Sequence, residues 1–375
     1  MQTLDPSVGG VAPAVIALSR GLVSRGHQSD LLTLDNPAAA WSKHDGLTIH
    51  AVGPGMTSYR YSSRLVDWLR QRSGEYDRFV VHGLWQFLSF AIWRHLRGSS
   101  TPYYVFPHGM LDPWFKRTFP LKHLKKWLYW PWGEYRVLRD AKAVIFTSEQ
   151  ERLEARKSFW LYRANERISP LGLEAPFETS QANKTFLAQF PQTQNKRLIA
   201  FLGRIHPKKG CELLIEAFSH TRARADSTML VLAGPDQIGW AGQLRDLAAR
   251  LDVADQVLFT GMLSGDVKLG LLANAEAFVL PSHQENFGLA VVEALATGLP
   301  VLISDRVNIW REIDADRAGY VETDDLSGTK RLLERWYETS IAERGTMKSN
   351  ARKCFATRFE IGQAIDSLLR ILNEA

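Results

Sequence analysis

Short, almost continuously apolar runs alternate with amphipathic stretches along nearly the whole chain. In the first half the apolar runs are SDLLTL, LTIHAVG, RFVVHG, YYVFPHG and KAVIFTS, and helical patterns cover residues around 11–25, 62–72, 86–97 and 121–139. In the second half LIAFLG, MLVLAG, VLFTG, AFVLPS and PVLIS repeat the rhythm. Buried strands separated by helices are typical of parallel sheets that are covered on both faces. The pattern therefore predicts an α/β chain with two doubly wound domains.

A polar stretch separates the two series of strands. It spans residues 173–197, contains two prolines and precedes the apolar restart at LIAFLGR. We therefore predict an N-terminal domain over 1–172, a linker region over 173–197 and a second domain over 198–358. Residues 359–375 hold an amphipathic helix that we expect to pack on one of the two domains, with the N-terminal domain as the first choice. Because ligands of such folds bind beyond the carboxyl ends of the strands, the cleft between the domains is the expected site.

The composition is that of a globular protein with a mild basic excess. Apolar residues make up 45% and charged residues 23% of the 375 residues, which excludes a disordered chain. A net charge of +6 favours anionic partners, namely phosphates, nucleic acid or an anionic bilayer. Cys211 and Cys354 lie far apart without a CxxC spacing, so we predict neither a disulfide framework nor a zinc site. No signal peptide and no apolar run of about 18 residues is visible, and we expect a cytoplasmic protein.

Two glutamates stand eight positions apart in an otherwise apolar segment, PSHQENFGLAVVEALATGLPVLIS, residues 281–304. The pattern predicts a strand end, a loop with Glu285, and then a helix that contains Glu293 and ends at Gly298. Free backbone N–H groups at the start of that helix attract anions. A molecule with a diphosphate between two polyols fits this arrangement, with one glutamate accepting hydrogen bonds from each diol. From spacing alone, two exposed glutamates without a ligand are an equally good interpretation.

A basic turn follows the strand in LIAFLGRIHPKKGCELLIEAF. Gly203 ends the strand, Arg204 follows it, and Lys208, Lys209 and Gly210 precede an amphipathic helix. Cations between a strand end and a helix start favour phosphate, because Arg204 can clamp a diphosphate with two nitrogens and Lys209 adds a point charge. The alternative is a solvated basic turn. The turn is not a P-loop, since the GxxxxGK[ST] pattern does not occur.

Two shorter motifs in the first half have features of ligand sites. In YYVFPHGMLDPW, His108 follows a buried strand and can hydrogen-bond a ligand or a developing charge, although a lone histidine is more often structural. In DPSVGGVAPAV, Gly9 and Gly10 precede a helix and allow the backbone to approach a phosphate, although glycine pairs are common in turns. A doubly wound domain usually opens with a full apolar strand, yet only MQTL precedes the glycine pair, so we expect either a very short first strand or a true start upstream of Met1.

Basic and aromatic residues are concentrated in WFKRTFPLKHLKKWLYWPWGEYRVLR, from Trp114 to Arg139. Seven Lys or Arg residues stand against one acid, Glu134, and four tryptophans are interleaved with them. Such a stretch suits a lipid-linked acceptor or a peripheral contact with an anionic membrane, here the inner face of the plasma membrane. A nucleic-acid surface is one alternative. A helix with aromatic core contacts and a solvated basic face is another. The four tryptophans are Trp114, Trp127, Trp130 and Trp132.

Together these segments resemble the retaining glycosyltransferases of family 4 (GT4), which have the GT-B fold. The resemblance covers nearly the whole chain and is strongest over 198–304. ENFGLAVVE matches the family's E-x7-E motif, and GRIHPKKG resembles its G-R-x-x-x-x-K-G phosphate clamp. HGMLDPW resembles the sugar-site histidine segment of the bacterial polysaccharide members, and DPSVGGVAPAV resembles the N-terminal glycine loop. The resemblance implies two Rossmann-like, doubly wound parallel-sheet domains that face each other across a cleft.

The resemblance also implies roles for individual residues. Arg204 and Lys209 are implied to bind the donor diphosphate and to stabilise the leaving nucleotide. Glu293 is implied to hold the ribose hydroxyls, Glu285 the hydroxyls of the donor sugar, and His108 to lie beside the anomeric centre. Of these five, all but Glu293 form the implied catalytic set. The further nucleotide-sugar-binding residues that it implies are Gly9, Gly10, Gly234, Met262, Asn286, Phe287, Gly288 and Leu289.

The predicted function is transfer of a hexose, with glucose as the first choice, from a UDP-sugar to a glycan or lipid-linked acceptor in exopolysaccharide or envelope polysaccharide synthesis. We expect no cofactor and no metal, because protein cations and helix amides replace Mg²⁺. The one DxD, at Asp314 and Asp316, is interpreted as surface, and nucleic acid is not expected as a partner. Two alternatives remain, a nucleotide-sugar- or glycan-binding protein without turnover on the same fold, and a GT-B sugar-nucleotide epimerase.

Overall fold

The structure is a computed structural model that describes residues 1–118, 120–175, 180–221 and 227–374. It divides into two compact units: unit 1 runs from Met1 to Leu173 and resumes at Ile361, and unit 2 spans Glu174–Glu360. Four residues of the predicted linker region, 176–179, and the last residue of the predicted C-terminal segment lie outside the described residues. Among the described residues, no helix has both the length and the hydropathy that crossing a membrane requires.

Unit 1 holds two parallel sheets. One pairs β1 with β2, and the other has the strand order β3-β4-β5-β6. The segment MQTL lies beside β1, since the backbone N–H of Leu34 donates to the carbonyl of Gln2 at 3.1 Å. The strands are β1 (Asp30–Thr33), β2 (Thr48–Ala51), β3 (Phe79–His82), β4 (Tyr103–Phe106), β5 (Ala143–Phe146) and β6 (Glu166–Ile168).

The first three helices of unit 1 match the predicted stretches, the short helices at Trp114–Thr118 and Glu149–Ala155 were not predicted, and the single helix predicted over 121–139 is wrong. One helix ends at Tyr129 and the next begins at Glu134. Pro131 stands between them, and a proline removes a backbone N–H and clashes with the preceding turn. The helices are α1 (Val11–Ser24), α2 (Ser63–Arg72), α3 (Phe87–Leu96), α4 (Trp114–Thr118), α5 (Pro120–Tyr129), α6 (Glu134–Asp140) and α7 (Glu149–Ala155).

Unit 2 is built on one six-stranded parallel sheet with the order β12-β11-β10-β7-β8-β9. The strands are β7 (Arg197–Leu202), β8 (Thr228–Ala233), β9 (Val257–Gly261), β10 (Ala275–Leu280), β11 (Val301–Ser304) and β12 (Gly319–Glu322). The helices are α8 (Ser180–Gln189), α9 (Cys211–His220), α10 (Ala241–Arg250), α11 (Gly265–Asn274), α12 (Leu289–Ala296), α13 (Trp310–Ala315), α14 (Leu326–Glu338) and α15 (Ile341–Cys354). From β7 the chain builds outward to β8 and β9 on one side, and from β10 to β11 and β12 on the other. The point where the direction reverses therefore lies between β7 and β10.

The last helix, α16 (Ile361–Asn373), belongs to unit 1. It begins after a π-helical turn at Phe355–Phe359, and the backbone N–H of Ile361 donates to the carbonyl of Leu173 at 2.9 Å. Its side chains pack on α1, where a Cβ on Gly21 would clash with Ile365. The chain thus leaves unit 1, forms unit 2, and returns to unit 1.

Candidate functional site

The predicted donor residues of unit 2 converge on the reversal point of its sheet. β7 and β10 are hydrogen-bonded neighbours, with Ala200 opposite Phe278. Arg204 and Lys209 follow β7, and Glu285 follows β10. In open α/β sheets this crevice, beyond the carboxyl ends of the strands, is where ligands bind. The two cations are therefore far from the carboxylate in sequence but lie at the same edge of the sheet.

The basic turn is fastened to the loop after β10 through its backbone. The carbonyl of Lys208 accepts hydrogen bonds from the Ser282 hydroxyl at 3.0 Å and from the His283 backbone N–H at 2.8 Å. Gly210 has a φ of 66°, and a Cβ there would lie 2.2 Å from the carbonyl oxygen of Pro281. Only glycine permits both this dihedral angle and this close approach. The sequence GRIHPKKG thus requires its last glycine for the two loops to meet.

Lys209 and Glu285 form an ion pair across the two loops. The Lys209 side chain is only 13% exposed. Burial, followed by the neighbouring charges of Lys208 and Arg204, lowers the pKa of the Lys209 ammonium to about 7. The Glu285 carboxylate opposes this shift, because it favours the charged form of its partner. The three neighbouring cations repel one another, and a bound anionic ligand would stabilise their charged forms.

Arg204 differs from Lys209 in exposure and in its partners. It follows Gly203, the first residue after β7, and its side chain is exposed to solvent. Within the described ranges, no carboxylate forms an ion pair with its guanidinium. An exposed guanidinium without a protein partner can form two parallel hydrogen bonds with phosphate oxygens.

Glu293 lies in the second turn of α12 and pairs with a cation that the sequence did not single out. The ammonium of Lys268, on α11, lies 2.7 Å from its carboxylate. The Glu293 side chain keeps 26% of its surface exposed, so the carboxylate has room for a further partner. Gly288 is the N-cap residue of α12, and within the part of the chain that the structure describes no acceptor binds the backbone N–H of Leu289 or Ala290. Amides without an acceptor at a helix start can bind an anion.

The remaining predicted residues of unit 2 have three kinds of environment. Gly234 follows β8, and a Cβ there would lie 1.8 Å from the Gly203 carbonyl oxygen, so it keeps β7 and β8 close at this edge. Met262 follows β9 and is 69% exposed, an unusual state for a large apolar side chain. Phe287 is buried and packs edge-on against Phe359, with ring centroids 5.6 Å apart, so only its backbone is available to a ligand. The Oδ1 of Asn286 accepts from Asn308.

The predicted residues of unit 1 lie at the carboxyl end of its four-stranded sheet and at the start of α1. His108 follows β4 and has a φ of 50°, an unusual conformation for a residue other than glycine. Its Nε2 lies 2.9 Å from Nδ1 of His82, the last residue of β3. Gly9 and Gly10 are exposed immediately before α1, and among the described residues no heavy atom lies within 4 Å of the position of a Cβ on Gly9.

Sequence reasoning missed three charged or titratable partners. Lys268 lies on α11 with ordinary neighbours in sequence, so no local signal marks it. His283 bonds Asp324 at 3.1 Å, and the carboxylates of Asp324 and then Glu212 raise the pKa of the His283 imidazole to about 9. His82 does have a signal, because RFVVHG repeats the pattern of YYVFPHG, a buried strand that ends in histidine and glycine.

The basic, tryptophan-rich segment is divided between core and surface. Trp130 is fully buried and stacks on Phe159 at 4.1 Å, which agrees with the alternative of a helix with aromatic core contacts. Glu134, the only acid of the segment, is also fully buried. In contrast, α5 has no buried residue among those described. We use the name α5 patch for the exposed apolar side chains on and beside this helix, which are Leu121, Leu124, Trp127, Leu128, Trp132 and Trp160.

The predicted DxD lies at the end of α13. Asp314 is exposed, whereas Asp316 pairs with Arg358, whose nitrogens lie 2.6 and 2.8 Å from its carboxylate. Both cysteines are buried with free thiols.

Two family models match the chain. The Glycosyl transferase 4-like domain matches residues 9–172, and Glycosyl transferases group 1 matches residues 183–354. The chain therefore belongs to the GT4-type glycosyltransferases, and its two Rossmann-like units have the GT-B fold.

Similar proteins agree with this assignment. An uncharacterized glycosyltransferase of Methanocaldococcus jannaschii is 24% identical over 356 residues, which cover 88% of this chain and 86% of the relative. The alpha-monoglucosyldiacylglycerol synthase of Streptococcus pneumoniae is 26% identical over 380 residues, 95% of this chain and 82% of the synthase. Among solved structures, Anabaena HepE in complex with UDP and glucose superposes with a TM-score of 0.77 at 18% identity, covering 99% of this chain and 97% of HepE. At that identity the likeness shows the fold alone.

Proposed function

We propose that the protein is a retaining hexosyltransferase that moves glucose from UDP-glucose to a glycan or lipid-linked acceptor in exopolysaccharide or envelope polysaccharide synthesis. The observation that carries the proposal is the charge arrangement at the reversal point of the unit 2 sheet. Arg204 and Lys209 flank it from the β7 side, Glu285 from the β10 side, and the start of α12 leads to Glu293. Two cations with two carboxylates around the backbone amides at the start of α12 are complementary to a diphosphate between two polyols.

Each charged group has one task in this proposal. Arg204, Lys209 and the amides at the start of α12 bind the diphosphate. Glu293 accepts hydrogen bonds from the ribose hydroxyls, with Lys268 holding its carboxylate in place. Glu285 exchanges its bond with Lys209 for hydroxyls of the donor sugar when the phosphates neutralise that lysine. Met262 supplies exposed apolar surface at the edge where the base lies.

The chemistry follows from the charge that develops. When the bond between the anomeric carbon and the phosphate oxygen breaks, the sugar becomes oxocarbenium-like and the diphosphate gains negative charge. Fixed cations stabilise that charge without reorganising, which is the electrostatic task that Mg²⁺ performs in other enzymes, so transfer proceeds without a metal. Retention of configuration follows when the acceptor attacks from the face of the leaving phosphate and that phosphate takes the acceptor's proton. In this proposal His108 contacts the donor sugar, and Gly9 and Gly10 contact the phosphates.

The donor choice draws support from a neighbour in fold. HepE was solved in complex with UDP and glucose, and its fold matches nearly the whole of this chain. The acceptor choice draws support from the synthase of Streptococcus pneumoniae, whose name specifies a glycosylated diacylglycerol.

The α5 patch supports a lipid-linked acceptor and a peripheral membrane contact. Leu121 is 83% and Trp132 68% exposed, and Lys122 and Lys125 stand beside the apolar side chains on the same helix. An amphipathic helix with leucine and tryptophan on one face and lysine beside them binds the interface of an anionic bilayer. The inner face of the plasma membrane is the site that we propose.

A turnover assay in EDTA tests the proposal. UDP-glucose is incubated with the protein and a bacterial lipid extract, and release of UDP and transfer of glucose are measured with and without EDTA. We expect glucose transfer that EDTA does not reduce and that Lys209→Met abolishes. Donor converted to another nucleotide sugar without acceptor identifies an epimerase instead. Binding without any conversion identifies a binding protein.

A further inference from the structure

Two histidines end neighbouring strands of unit 1 and bond to each other. His82 is the last residue of β3, and His108 lies two residues beyond β4. Nδ1 of His82 and Nε2 of His108 are 2.9 Å apart. The rings are stacked with centroids 5.2 Å apart, and the ring of Phe106 stacks on His82 at 5.1 Å. The mutual orientation of the two imidazoles is therefore fixed by packing as well as by the hydrogen bond.

Both imidazoles are neutral at physiological pH. Burial lowers the pKa of His108 to about 3, and burial together with the neighbouring His108 lowers the pKa of His82 well below its ordinary value. A neutral imidazole has one N–H donor and one bare nitrogen acceptor. The bond between the rings therefore contains one proton, and its position decides which nitrogens of both rings remain bare.

The other nitrogen of His108 has no partner in the part of the chain that the structure describes. Its Nδ1 is buried and, within the described residues, makes no hydrogen bond. A buried polar atom without a partner is costly and is rare in folded proteins. The residue also has the unusual φ of 50°, and the next residue, Gly109, is anchored because its N–H donates to Glu151 at 2.6 Å. Unfavourable dihedral angles of this kind persist where the surrounding structure enforces them and are concentrated at ligand sites.

The intrinsic preference of imidazole selects the direction of the bond. A neutral histidine side chain favours the tautomer with the proton on Nε2, and both rings satisfy that preference when Nε2–H of His108 donates to the bare Nδ1 of His82. In the opposite arrangement both rings would hold their less favoured Nδ1–H tautomer. The first arrangement leaves Nδ1 of His108 as a bare acceptor.

We propose that His82 is a positioning residue that fixes His108 in the Nε2–H tautomer, so that Nδ1 of His108 accepts a hydrogen bond from a hydroxyl of the donor sugar. The inference rests on the proposed function, in which His108 lies beside that sugar. It specifies the direction of the hydrogen bond, from the sugar to the protein, and a residue that controls it without touching the substrate.

Nitrogen NMR tests the tautomer directly and without substrate. Spectra of ¹⁵N-histidine-labelled protein that correlate ring nitrogens with carbon-bound protons distinguish the two tautomers, and the loss of signals in His82→Asn and in His108→Asn assigns them. We expect His108 to be neutral and in the Nε2–H form. An Nδ1–H form in the wild-type protein would contradict the proposal, whatever the variants do.

Two variants of His82 separate positioning from folding. Asparagine places an amide oxygen near the position of the His82 Nδ1 and still accepts from His108, whereas leucine cannot accept. We expect His82→Asn to keep the tautomer of His108, and His82→Leu to lose it and to reduce kcat/KM about fivefold to tenfold, the worth of one hydrogen bond. His95→Asn, at a histidine of α3 that bonds Ser73 at 2.8 Å, is the matched control and should change neither.

Addition of UDP-glucose separates this inference from the proposed function. We expect the Nδ1 resonance of His108 to move as the hydroxyl donates to it. If UDP-glucose stabilises the protein against heat but leaves that resonance unchanged, the acceptor role is wrong while the proposed function stands. If no nucleotide sugar binds, the proposed function fails, and the substrate-free spectra still decide whether His82 fixes the tautomer.

Discussion

The protonation state of Lys209 should depend on the charge of the bound ligand. Its ammonium is buried and lies near two other cations, so its pKa is low in the empty site even though it pairs with the Glu285 carboxylate. A bound diphosphate favours the charged form and raises that pKa. Binding is then linked to proton uptake wherever the free lysine is neutral.

The affinity for UDP-glucose should therefore fall as the pH rises from about 6 to about 8.5, because the free lysine loses its proton near pH 7. The donor itself has no phosphate group that titrates in this range. Isothermal titration at each pH measures the effect. Lys209→Arg stays charged and should show an almost flat profile. An equally steep profile in this variant would assign the pH dependence to another group.

The two glutamates should have separable effects on binding. Glu293→Gln should weaken UDP and UDP-glucose about equally, by about tenfold, because a charged acceptor for the ribose hydroxyls is lost. Glu285→Gln should weaken UDP-glucose but spare UDP, since its partners are the sugar hydroxyls. Titration of both ligands against both variants measures this, with Glu334→Gln on the exposed face of α14 as the control. The same loss for both ligands in both variants would contradict the separate assignments.

At the scale of elements, α5 is the helix whose surface is hardest to explain without a partner. Its leucines point away from the protein, while His123 on its other side stacks on Phe159 at 5.0 Å. The neighbouring helix α6 begins with a buried acid, Glu134. Each helix leads to one prediction.

The double variant Leu121→Glu, Leu128→Glu should abolish sedimentation with vesicles that contain phosphatidylglycerol. Binding of the wild-type protein should weaken as salt is raised toward about 0.5 M, because screening shortens the reach of the lysines, and should be weak on phosphatidylcholine alone. Ile341→Glu is a matched control, since Ile341 is 90% exposed in unit 2. Wild-type binding that depends on neither lipid charge nor salt would contradict an electrostatic contribution of the lysines.

Glu134 should make stability depend on pH. Its carboxylate accepts from the Trp85 backbone N–H at 2.6 Å and from the Ser89 hydroxyl at 3.1 Å, yet burial raises its pKa to about 7. Between its unfolded value of 4.5 and this folded value the folded state binds more protons, so stability falls as pH rises, by at most about 1.4 kcal/mol per pH unit.

Glu134→Gln has no proton to lose and should not show this fall. Scanning calorimetry from about pH 4.5 to about pH 7 should show the Tm of the variant rising relative to that of the wild-type protein. A difference in Tm that stays constant across this window would mean that the buried carboxyl does not titrate there.

At the scale of the whole molecule, the sequence predicts the two-domain parallel architecture because central strands are buried on both faces and read as apolar runs. The edge strands β6 and β12 were not predicted, since ERI and GYVE are short and mostly half-exposed. Helix α8 lies inside the stretch predicted as a linker, because only Ala182 and Phe186 on one face of a polar helix are buried.

Some residues of the candidate site could be predicted from the sequence and others could not. Glu285, Glu293, Arg204 and Lys209 stand in short motifs at strand ends and helix starts, where local sequence determines geometry, so they could be predicted. Lys268 could not, because its role depends on α11 lying beside α12. The pairing of His82 with His108 depends on β3 and β4 being neighbours, which is a property of the sheet order.

The central claim is that unit 2 binds a uridine diphosphate sugar through protein charges alone. The most direct measurement is a thermal-shift panel of UDP, GDP, ADP, CMP and their sugar conjugates, each in Mg²⁺ and in EDTA, for the wild-type protein and Glu293→Gln. A ligand at a hundredfold excess over its Kd stabilises the folded state by about 2.7 kcal/mol, a clear shift. We predict stabilisation by UDP and UDP-glucose that EDTA leaves intact and Glu293→Gln diminishes. Stabilisation only by another nucleotide, only with metal, or by none of them would contradict the claim.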